Sequence, residues 1–260
     1  MYQIPFFLKV FAKEKPTHIV STGSGRIALI PFLLATLLKI SFIYIDTFSR
    51  VNGYSKFGSF LLKTGHHIYC QWSDPENQKA IYIGPIFNKV DDFSKTPNSN
   101  YIFVTLGTRE EPFTRLIAAV DELKQRGAIK EKIIVQAGNT KYESDHLEIF
   151  DFCEPEKIDE LVRKSKYVIT QESAGIGSKC LKYKTKFIVM PRDYKYGELP
   201  AKSDMNEDLH LKLREMGYTK VVRDISELED AINQIDSLRT DFNFDNRLAI
   251  VTLTTIMEES

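Results

Sequence analysis

Short apolar runs alternate with helical patterns along most of the chain. Apolar residues at helical spacing predict helices near residues 26–38 and 55–64, and then near 112–126, 156–164, 174–183, 205–216 and 225–236. Continuous or alternating apolar runs predict strands near 18–22, 41–45, 67–71, 80–83, 101–106, 131–136, 166–170, 186–190 and 219–223. Strands and helices that alternate in this way form parallel sheets with helices on both faces. The chain is therefore predicted to have an α/β fold.

A polar segment divides this alternation into two halves. Gly84 and Pro85 end the first half, and the run D-D-F-S-K-T-P-N-S-N follows, which is typical of a linker. The predicted organisation is a first half over residues 1–84, a linker over 85–100, a second domain over 101–237 and a C-terminal segment over 238–260. This last segment contains a helical pattern and is a candidate to pack back on the first half.

The segment V-I-T-Q-E-S-A-G-I-G-S, residues 168–178, carries the strongest chemical signal. An apolar strand ends at a polar turn, and small residues then open a helix. Ala174, Gly175 and Gly177 let a ligand approach the backbone, the first amides of the helix point outward, and Ser173 and Ser178 add hydroxyl donors. A diphosphate fits such a site, although the same residues also suit a tight turn whose glycines serve geometry alone.

Two further strands end in polar loops. Gly107 and Thr108 follow the run Y-I-F-V-T-L, and Pro112 then stands in the first turn of a predicted helix. Arg192 and Glu198 follow the run F-I-V-M-P, where Arg192 suits a phosphate or a base and Glu198 suits ribose hydroxyls. Because ligands bind beyond the carboxyl ends of strands in open parallel sheets, the three loops are expected to converge on one site.

Four segments of the second half, in order, resemble one family of sugar transferases: V-T-L-G-T-R-E-E-P-F-T-R-L, I-I-V-Q-A-G-N-T-K-Y, V-I-T-Q-E-S-A-G-I-G-S and I-V-M-P-R-D-Y-K-Y-G-E. They resemble the donor-binding subunit of the two-part UDP-N-acetylglucosamine transferase that adds the second sugar to dolichol diphosphate, and its bacterial exopolysaccharide counterparts. A more distant resemblance is to the peptidoglycan transferase that makes lipid II. The upstream segments H-I-V-S-T-G-S-G-R-I-A-L-I-P-F, F-I-Y-I-D-T-F-S-R-V and I-Y-C-Q-W resemble the acceptor-side, membrane-anchoring subunit. The chain thus resembles both subunits fused, acceptor half first, over about residues 16–230.

The resemblance implies a GT-B glycosyltransferase fold, with two Rossmann-like parallel-sheet halves of which the first is shortened. It implies inverting transfer of a sugar, N-acetylglucosamine in the family, from a UDP donor to a polyprenyl-diphosphate-linked or polysaccharide-precursor acceptor. No cofactor and no metal are expected, because helix amides take the electrostatic role of a metal. The acceptor-side residues would be Gly23, Ser24 and Arg50. The donor-binding residues would be Gly107, Thr108, Gln171, Glu172, Ser173, Ala174, Gly175, Gly177, Ser178, Arg192, Glu198 and Asn206.

The chain departs from the family pattern where the family has three histidines. Arg109, Gln171 and Met205 occupy those positions, and none of these side chains titrates near neutral pH. The family's opening glycine-rich loop, which carries the catalytic base, also has no counterpart in the sequence. The base is therefore expected to be an acid at a strand end, Asp46 or Glu110, or to come from a partner protein or a second copy of the chain. Asp46 and Arg50, four residues apart, equally suit a simple ion pair.

Composition and charge argue against several classes of function. Lys plus Arg and Asp plus Glu number 35 each, so no net field attracts nucleic acid. Cys70, Cys153 and Cys180 form no C-x-x-C pair, which indicates free buried thiols rather than disulfides or a zinc site. The histidines lack the spacing that places two metal ligands on one helix face.

Two segments bear on membrane contact. The run from Ile27 to Ile45 contains one charge, Lys39, and is long enough for a transmembrane helix. Pro31 and the strand-like end of the run favour instead a buried helix followed by a buried strand. The amino-terminal residues 1–16 mix aromatic, aliphatic and lysine side chains at helical spacing, which suits either a membrane surface or packing on the sheet. We expect a cytoplasmic protein that is peripheral at the inner face of the membrane.

Two other functions fit the same fold. A UDP-sugar epimerase needs titratable acids and bases around the sugar, which the absence of the three imidazoles disfavours. A non-catalytic donor-binding or scaffolding subunit would keep the nucleotide site without a base.

Overall fold

The computed structural model describes residues 3–23, 25–87, 100–200 and 208–259. Its contacts divide the chain into two compact units. The first unit comprises Met1–Lys89 together with Phe244–Ser260, and the second comprises Val90–Asn243.

The first unit is built on a four-stranded parallel sheet whose strands lie side by side in chain order, β1-β2-β3-β4. Residues His18 to Thr22 of the first strand pair in register with Ser41 to Ile45 of the second. The elements are α1 (Gln3–Glu14), β1 (His18–Thr22), α2 (Gly25–Leu38), β2 (Ser41–Ile45), α3 (Lys56–Lys63), β3 (Ile68–Cys70), β4 (Ala80–Tyr82) and, from the end of the chain, α9 (Arg247–Glu259).

Both faces of this sheet are covered. On one face α2 and α3 bury a cluster rich in aromatic rings, in which Phe32 meets Phe57 edge to face at 5.9 Å between ring centres. On the other face, Ile43, Ile45 and Ile83 pack against Ala249 of α9. The C-terminal helix therefore belongs to the hydrophobic core of the first unit.

Helix α2 is buried on one side only. Ala28, Phe32 and Ala35 face the sheet, whereas Leu33 and Leu37 are 55% and 77% exposed. The expected buried helix is present but buried along one stripe only, because a single sheet covers only one side of a helix. Among the described residues, no helix is long and apolar enough to span a membrane.

The second unit is built on a six-stranded parallel sheet with the order β10-β9-β8-β5-β6-β7. The chain leaves β5 for one edge of the sheet and then returns to place β8 on its other side. This reversal makes the carboxyl ends of the neighbouring strands β5 and β8 the switch point of a doubly wound sheet. The elements are β5 (Tyr101–Thr105), α4 (Thr114–Gln125), β6 (Lys132–Gln136), β7 (Glu148–Phe150), α5 (Pro155–Lys164), β8 (Tyr167–Thr170), α6 (Ala174–Lys182), β9 (Lys186–Val189), α7 (Asp208–Glu215), β10 (Thr219–Val221) and α8 (Leu228–Asn233).

The structure differs from the predicted elements of this unit at three places. The helix predicted near 225–236 is an α-helix only over Leu228–Asn233, with short 3-10 helices at Ile225–Glu227 and Ile235–Ser237. Strand β7, only three residues long at the sheet edge, was not predicted. Helix α4 begins at Thr114 with Phe113 as its N-cap residue, so Pro112 precedes the helix rather than lying in its first turn. The predicted start of α7 near residue 205 lies outside the described residues.

Candidate functional site

Loops that follow β5, β6 and β8 touch one another at the switch point of the six-stranded sheet. Gly107 has a φ of +80°, and a Cβ atom built on it would lie 1.8 Å from Nε2 of Gln171. A Cβ atom on Gly138, whose φ is +59°, would lie 2.2 Å from the carbonyl oxygen of Gly107. Both positions require glycine for their backbone conformation and for this close approach. The convergence expected of the loops after β5 and β8 is thus present.

Helix α6 begins at this switch point and directs free amides out of the protein. Ser173 is its N-cap residue, and its Oγ accepts a hydrogen bond of 3.3 Å from the amide of Ile176. Within the described parts of the chain, the amides of Ala174 and Gly175 have no acceptor. Gly175 is exposed, and a Cβ atom there would meet only Oγ of Ser173, at 3.9 Å. An anion can therefore reach both amides, and the helix dipole favours it.

Gly177 and Ser178 face the interior instead. Both residues are buried, and a Cβ atom on Gly177 would lie 3.3 Å from Nε2 of His210 on α7. The space left by Gly177 is therefore filled by the protein itself. This corrects the expectation that Gly177 makes room for a ligand, a role for which Gly175 is the better placed of the two.

His210, on α7, lies behind the first turn of α6, against Gly177, and no function was predicted for it. Its side chain is only 2% exposed, and among the described residues neither ring nitrogen has a hydrogen bond of ordinary geometry, with the backbone of Ser173 as a polar neighbour. Burial lowers the pKa of His210 to about 4, although the backbone of Ser173 acts against this shift. The imidazole is therefore neutral near pH 7 and supplies no positive charge to the site.

Arg192 is a structural tie between loops. Its side chain is buried, and its Nε donates to Oε1 of Gln171. Its Nη2 donates to the carbonyl of Leu106 at 2.7 Å, and its Nη1 donates to the carbonyls of Glu111 and Glu198 at 2.7 and 3.2 Å. Desolvation lowers the pKa of Arg192. The predicted contact of this guanidinium with a phosphate or a base would require these bonds to break.

Glu198 is held by an arginine that sequence reasoning missed. Its carboxylate accepts two hydrogen bonds of 2.9 Å from Arg115, and Oε2 accepts a third, of 2.8 Å, from the amide of Asp193. Burial by itself would lower the pKa of Arg115, but the hydrogen bonds and charge of Glu198 outweigh burial and raise it. Arg115 stands in the first turn of α4, where the helix dipole disfavours a cation. That placement was the signal in the sequence that Arg115 has an acidic partner.

The remaining predicted donor residues lie around the same edge. Oε2 of Glu172 accepts a 2.7 Å hydrogen bond from the amide of Arg192. Thr108 and Glu110 are exposed on the loop after β5. The structure therefore brings Gly107, Gln171, Glu172 and Ser173 together around the start of α6. Asn206 and Ser24 lie outside the described residues.

In the first unit, Asp46 is engaged by the backbone. It is buried, its Oδ1 accepts a 2.8 Å hydrogen bond from the amide of Thr47, and its Oδ2 accepts one of 2.9 Å from the amide of Ser55. Ser55 is the N-cap residue of α3, so Asp46 fixes the loop that leads into this helix. That arrangement favours a structural role for Asp46, and its role as the base stays a prediction.

Gly23 and Arg50, predicted for the acceptor side, lie near the ends of β1 and β2. Gly23 has a φ of +75°, its amide donates to Ile45 at 3.2 Å, and its carbonyl accepts from the hydroxyl of Tyr44 at 3.1 Å. Arg50 is half-buried and lines a cavity together with Asp46. The ion pair between Arg50 and Asp46 that the sequence suggested is absent from the described part of the chain.

No group of three or more His, Cys, Asp or Glu side chains that could hold a metal is present among the described residues. All three cysteines are free, and burial raises the pKa of Cys70 to about 12.

Comparisons with solved structures identify the fold. No protein-family model matches the sequence, and no curated protein matches it significantly. The UDP-GlcNAc 2-epimerase of Methanocaldococcus jannaschii superposes with a TM-score of 0.66 at 14% identity, covering 98% of this chain and 81% of the epimerase. The same epimerase has been solved in complex with UDP-GlcNAc and UDP.

Glycosyltransferases superpose nearly as well. MurG of Acinetobacter baumannii gives a TM-score of 0.58 at 14% identity, covering 89% of this chain and 69% of MurG. The spinosyn rhamnosyltransferase SpnG, solved with thymidine diphosphate, gives a TM-score of 0.57 at 14% identity, covering 98% of this chain and 73% of SpnG. The chain has the two-sheet α/β fold of GT-B glycosyltransferases and these epimerases, with four strands in its first sheet and six in its second. The fold class predicted from the sequence is confirmed.

Proposed function

We propose that the chain is an inverting glycosyltransferase that moves a sugar, N-acetylglucosamine by family resemblance, from a UDP donor to a polyprenyl-diphosphate-linked or polysaccharide-precursor acceptor. The observation that carries this proposal is the pair of free amides of Ala174 and Gly175 at the start of α6, at the switch point of the sheet. Gly175 has no side chain to block access to them. This is where doubly wound sheets bind nucleotides.

In the proposed reaction, the acceptor hydroxyl oxygen attacks the anomeric carbon of the donor sugar. The bond from that carbon to the diphosphate oxygen breaks, and the electron pair leaves with UDP. Negative charge grows on the diphosphate as this bond breaks, and the amides of Ala174 and Gly175 are placed to stabilise it, with Gly107 and Thr108 nearby. A metal or another cofactor has no step in this scheme.

The acceptor proton needs a base. Glu110 is the better of the two predicted acids because its side chain is exposed, whereas that of Asp46 is buried beneath the loop that it holds. A base from a partner protein or from a second copy of the chain is the alternative. Glu110→Gln should lower turnover by about 100-fold or more with UDP affinity unchanged. Glu122→Gln, on the exposed side of α4, is the matched control.

Peripheral contact with a membrane forms part of the proposal, at the cytoplasmic face. Helix α1 exposes Ile4, Phe6 and Leu8 by half or more of their surface, and Lys9 and Lys13 accompany them. Aromatic, aliphatic and lysine side chains together favour an anionic lipid surface. Deleting residues 1–12 should release the protein from anionic liposomes and leave UDP binding intact, and equal flotation of both forms would contradict the membrane contact.

An epimerase is the second candidate, because the M. jannaschii epimerase superposes with the higher TM-score. Epimerisation needs acids and bases that exchange protons with the sugar. Around the start of α6, His210 is buried and neutral, while Arg192 and Glu198 are tied into loop contacts.

One assay separates the candidates. Purified chain is incubated with UDP-sugars, with and without lipid-linked acceptor, and the products are analysed for transferred sugar, epimerised nucleotide sugar and free UDP. Transfer that depends on the acceptor supports the proposal. Epimerised UDP-sugar without acceptor supports the second candidate, and calorimetric UDP binding without turnover supports a donor-binding subunit or a missing partner.

A further inference from the structure

A cavity of about 350 Å³ opens within the first unit, where the loops after β2 and β3 face each other. Its lining includes Arg50, Tyr54, Gln71, Trp72, Asp74 and Glu76. This volume lies within the range of about 300–1,000 Å³ that small-ligand sites occupy. All of its lining residues belong to the first unit, whereas the start of α6 belongs to the second.

The aromatic wall of the cavity is held rigidly. Phe48 stacks on Trp72 with ring centres 5.0 Å apart, and Nε1 of Trp72 donates to the carbonyl of Phe48 at 2.7 Å. Gln71 beside it donates to the carbonyl of Asp46 and accepts from the amide of Ile86. The indole therefore presents a fixed apolar surface with its N–H already satisfied.

The polar part of the lining is equally ordered but retains hydrogen-bonding capacity. Asp74 accepts a hydrogen bond from the hydroxyl of Tyr54 on one oxygen and from the amide of Glu76 on the other. Each carboxylate oxygen carries two acceptor positions, so both oxygens of Asp74 can accept one further hydrogen bond. Desolvation and the nearby Asp74 raise the pKa of Tyr54, so the phenol stays protonated as a donor.

The charges of the cavity select the ligand. Asp46, Asp74 and Glu76 supply three carboxylates against one guanidinium, that of Arg50. In the described parts of the chain, the side chain of Arg50 has no hydrogen bond or ion pair. An excess of carboxylates disfavours a phosphate or diphosphate, and the described residues contain no metal-binding group of side chains. A neutral ligand with many hydroxyls can accept hydrogen bonds from Arg50 and donate them to Asp74, while its apolar face packs on the indole of Trp72.

We propose that this cavity binds an uncharged saccharide, the sugar at the accepting end of the acceptor, with Trp72 as its apolar platform and Arg50 and Asp74 as its hydrogen-bond partners. The identification of this sugar with the acceptor rests on the proposed transferase function. The diphosphate of the acceptor is excluded from the cavity by the same charges.

The chain supplies its own probe, because Trp72 is its single tryptophan. Intrinsic tryptophan fluorescence of the full chain is followed during titration with methyl glycosides of N-acetylglucosamine, glucose, galactose and mannose, and with N-acetylglucosamine 1-phosphate as the anionic counterpart. We expect a saturable change with at least one neutral glycoside and weaker binding of the sugar phosphate.

Two variants test the assignment of the polar partners. Asp74→Asn and Arg50→Gln should each weaken the neutral glycoside by about 10-fold, since each loses a hydrogen bond to a charged group. Glu14→Gln, an exposed acid of the same unit, is the matched control and should bind as the parent chain does. Circular dichroism checks that every variant is folded, and Arg50→Gln keeps the test decisive if Asp74→Asn does not fold.

The outcomes separate this inference from the proposed function, because UDP binding is measured by calorimetry on the same samples. A saturable glycoside signal without UDP binding would support the cavity and contradict the transferase. UDP binding with no saturable signal from any glycoside would overturn the cavity assignment alone. Tighter binding of the sugar phosphate, or unchanged affinity in both variants, would also overturn it.

Discussion

The two sheets order their strands differently, and this decides where each unit has a site. In the second unit the strand order reverses between β5 and β8, the loops after these strands meet at this switch point, and the first amides of α6 lie beside them. In the first unit the order β1-β2-β3-β4 never reverses. Its cavity arises instead where the loops after β2 and β3 face each other. A parallel sheet can therefore build a polar site without a switch point, but from longer loops.

The two units also fix their loops by different means. The second unit uses guanidinium groups, that of the buried Arg192 and that of the partly buried Arg115, which bond to residues up to 86 and 108 positions away in the chain. The first unit uses the carboxylate of Asp46, which accepts from the amides of Thr47 and Ser55 close by in sequence. Trp72 lies in the first unit, so its fluorescence reports unfolding of that unit, while circular dichroism reports both.

Removal of Arg192 is the strongest test of this difference. Arg192→Ala should destabilise the second unit by about 3–5 kcal/mol, because several buried acceptors lose a charged partner at once. The midpoint of denaturant unfolding followed by circular dichroism should fall while the Trp72 transition keeps its position. Arg126→Ala, which breaks the exposed pair with Glu229, should cost at most about 0.5 kcal/mol. If both transitions move together in Arg192→Ala, the units unfold as one.

His210 should make the second unit sensitive to acid. The unfolded chain takes up a proton on this residue near pH 6.5, whereas the folded chain does so only near pH 4. The stability that this difference contributes is present above pH 6.5 and is lost as the pH falls through about 4, in total about 3 kcal/mol. Urea unfolding measured between pH 7 and pH 4 checks this. His210→Leu should flatten this part of the pH profile, and an unchanged profile would contradict the burial of a neutral imidazole.

Asp46 tests the first unit. Asp46→Asn should lower the stability of this unit by about 1–3 kcal/mol, because an amide group can accept through only one of its two polar atoms. The Trp72 transition should move, and UDP affinity should not. A loss of turnover of about 100-fold in a variant that is still fully folded would instead identify Asp46 as the base.

The two glycines of α6 form the finest test. Gly175→Ala should raise stability by up to about 1 kcal/mol through helix propensity, yet weaken UDP binding because the new methyl group stands beside the free amides. Gly177→Ala should lower stability slightly, since its Cβ would crowd His210. Thermal unfolding and calorimetry on both variants check this pair. Unchanged UDP affinity in Gly175→Ala would remove the diphosphate from the start of α6.

Much of the fold could be predicted because its signals are local. Strands β5, β8 and β9 are buried on both faces and appear as continuous apolar runs. Strand β7 escaped prediction because three residues at a sheet edge carry no readable period. The exposed side of α2 could not be predicted, because its sequence is apolar on all sides and so does not distinguish the side that packs on the sheet from the side that is exposed.

The candidate site was predictable in place but not in detail. The loops that converge follow from strand ends, which the sequence marks with Gly107, Ser173 and Arg192. Which side of the loop a residue faces depends on partners far along the chain. Arg192 and Glu198 resemble ligand contacts in the sequence, but their bonds to Leu106 and Arg115 become visible only in three dimensions.

The guanidinium of Arg192 has a further consequence for the kinetics of recognition. It bonds to Leu106 and Glu111 after β5, to Gln171 after β8 and to Glu198 after β9, so these loops share one anchor. A nucleotide that arrives meets a surface that is already ordered and loses little chain entropy on binding. Association is then a single bimolecular step, with a rate that rises linearly with nucleotide concentration and shows no plateau from a slow closing of the loops.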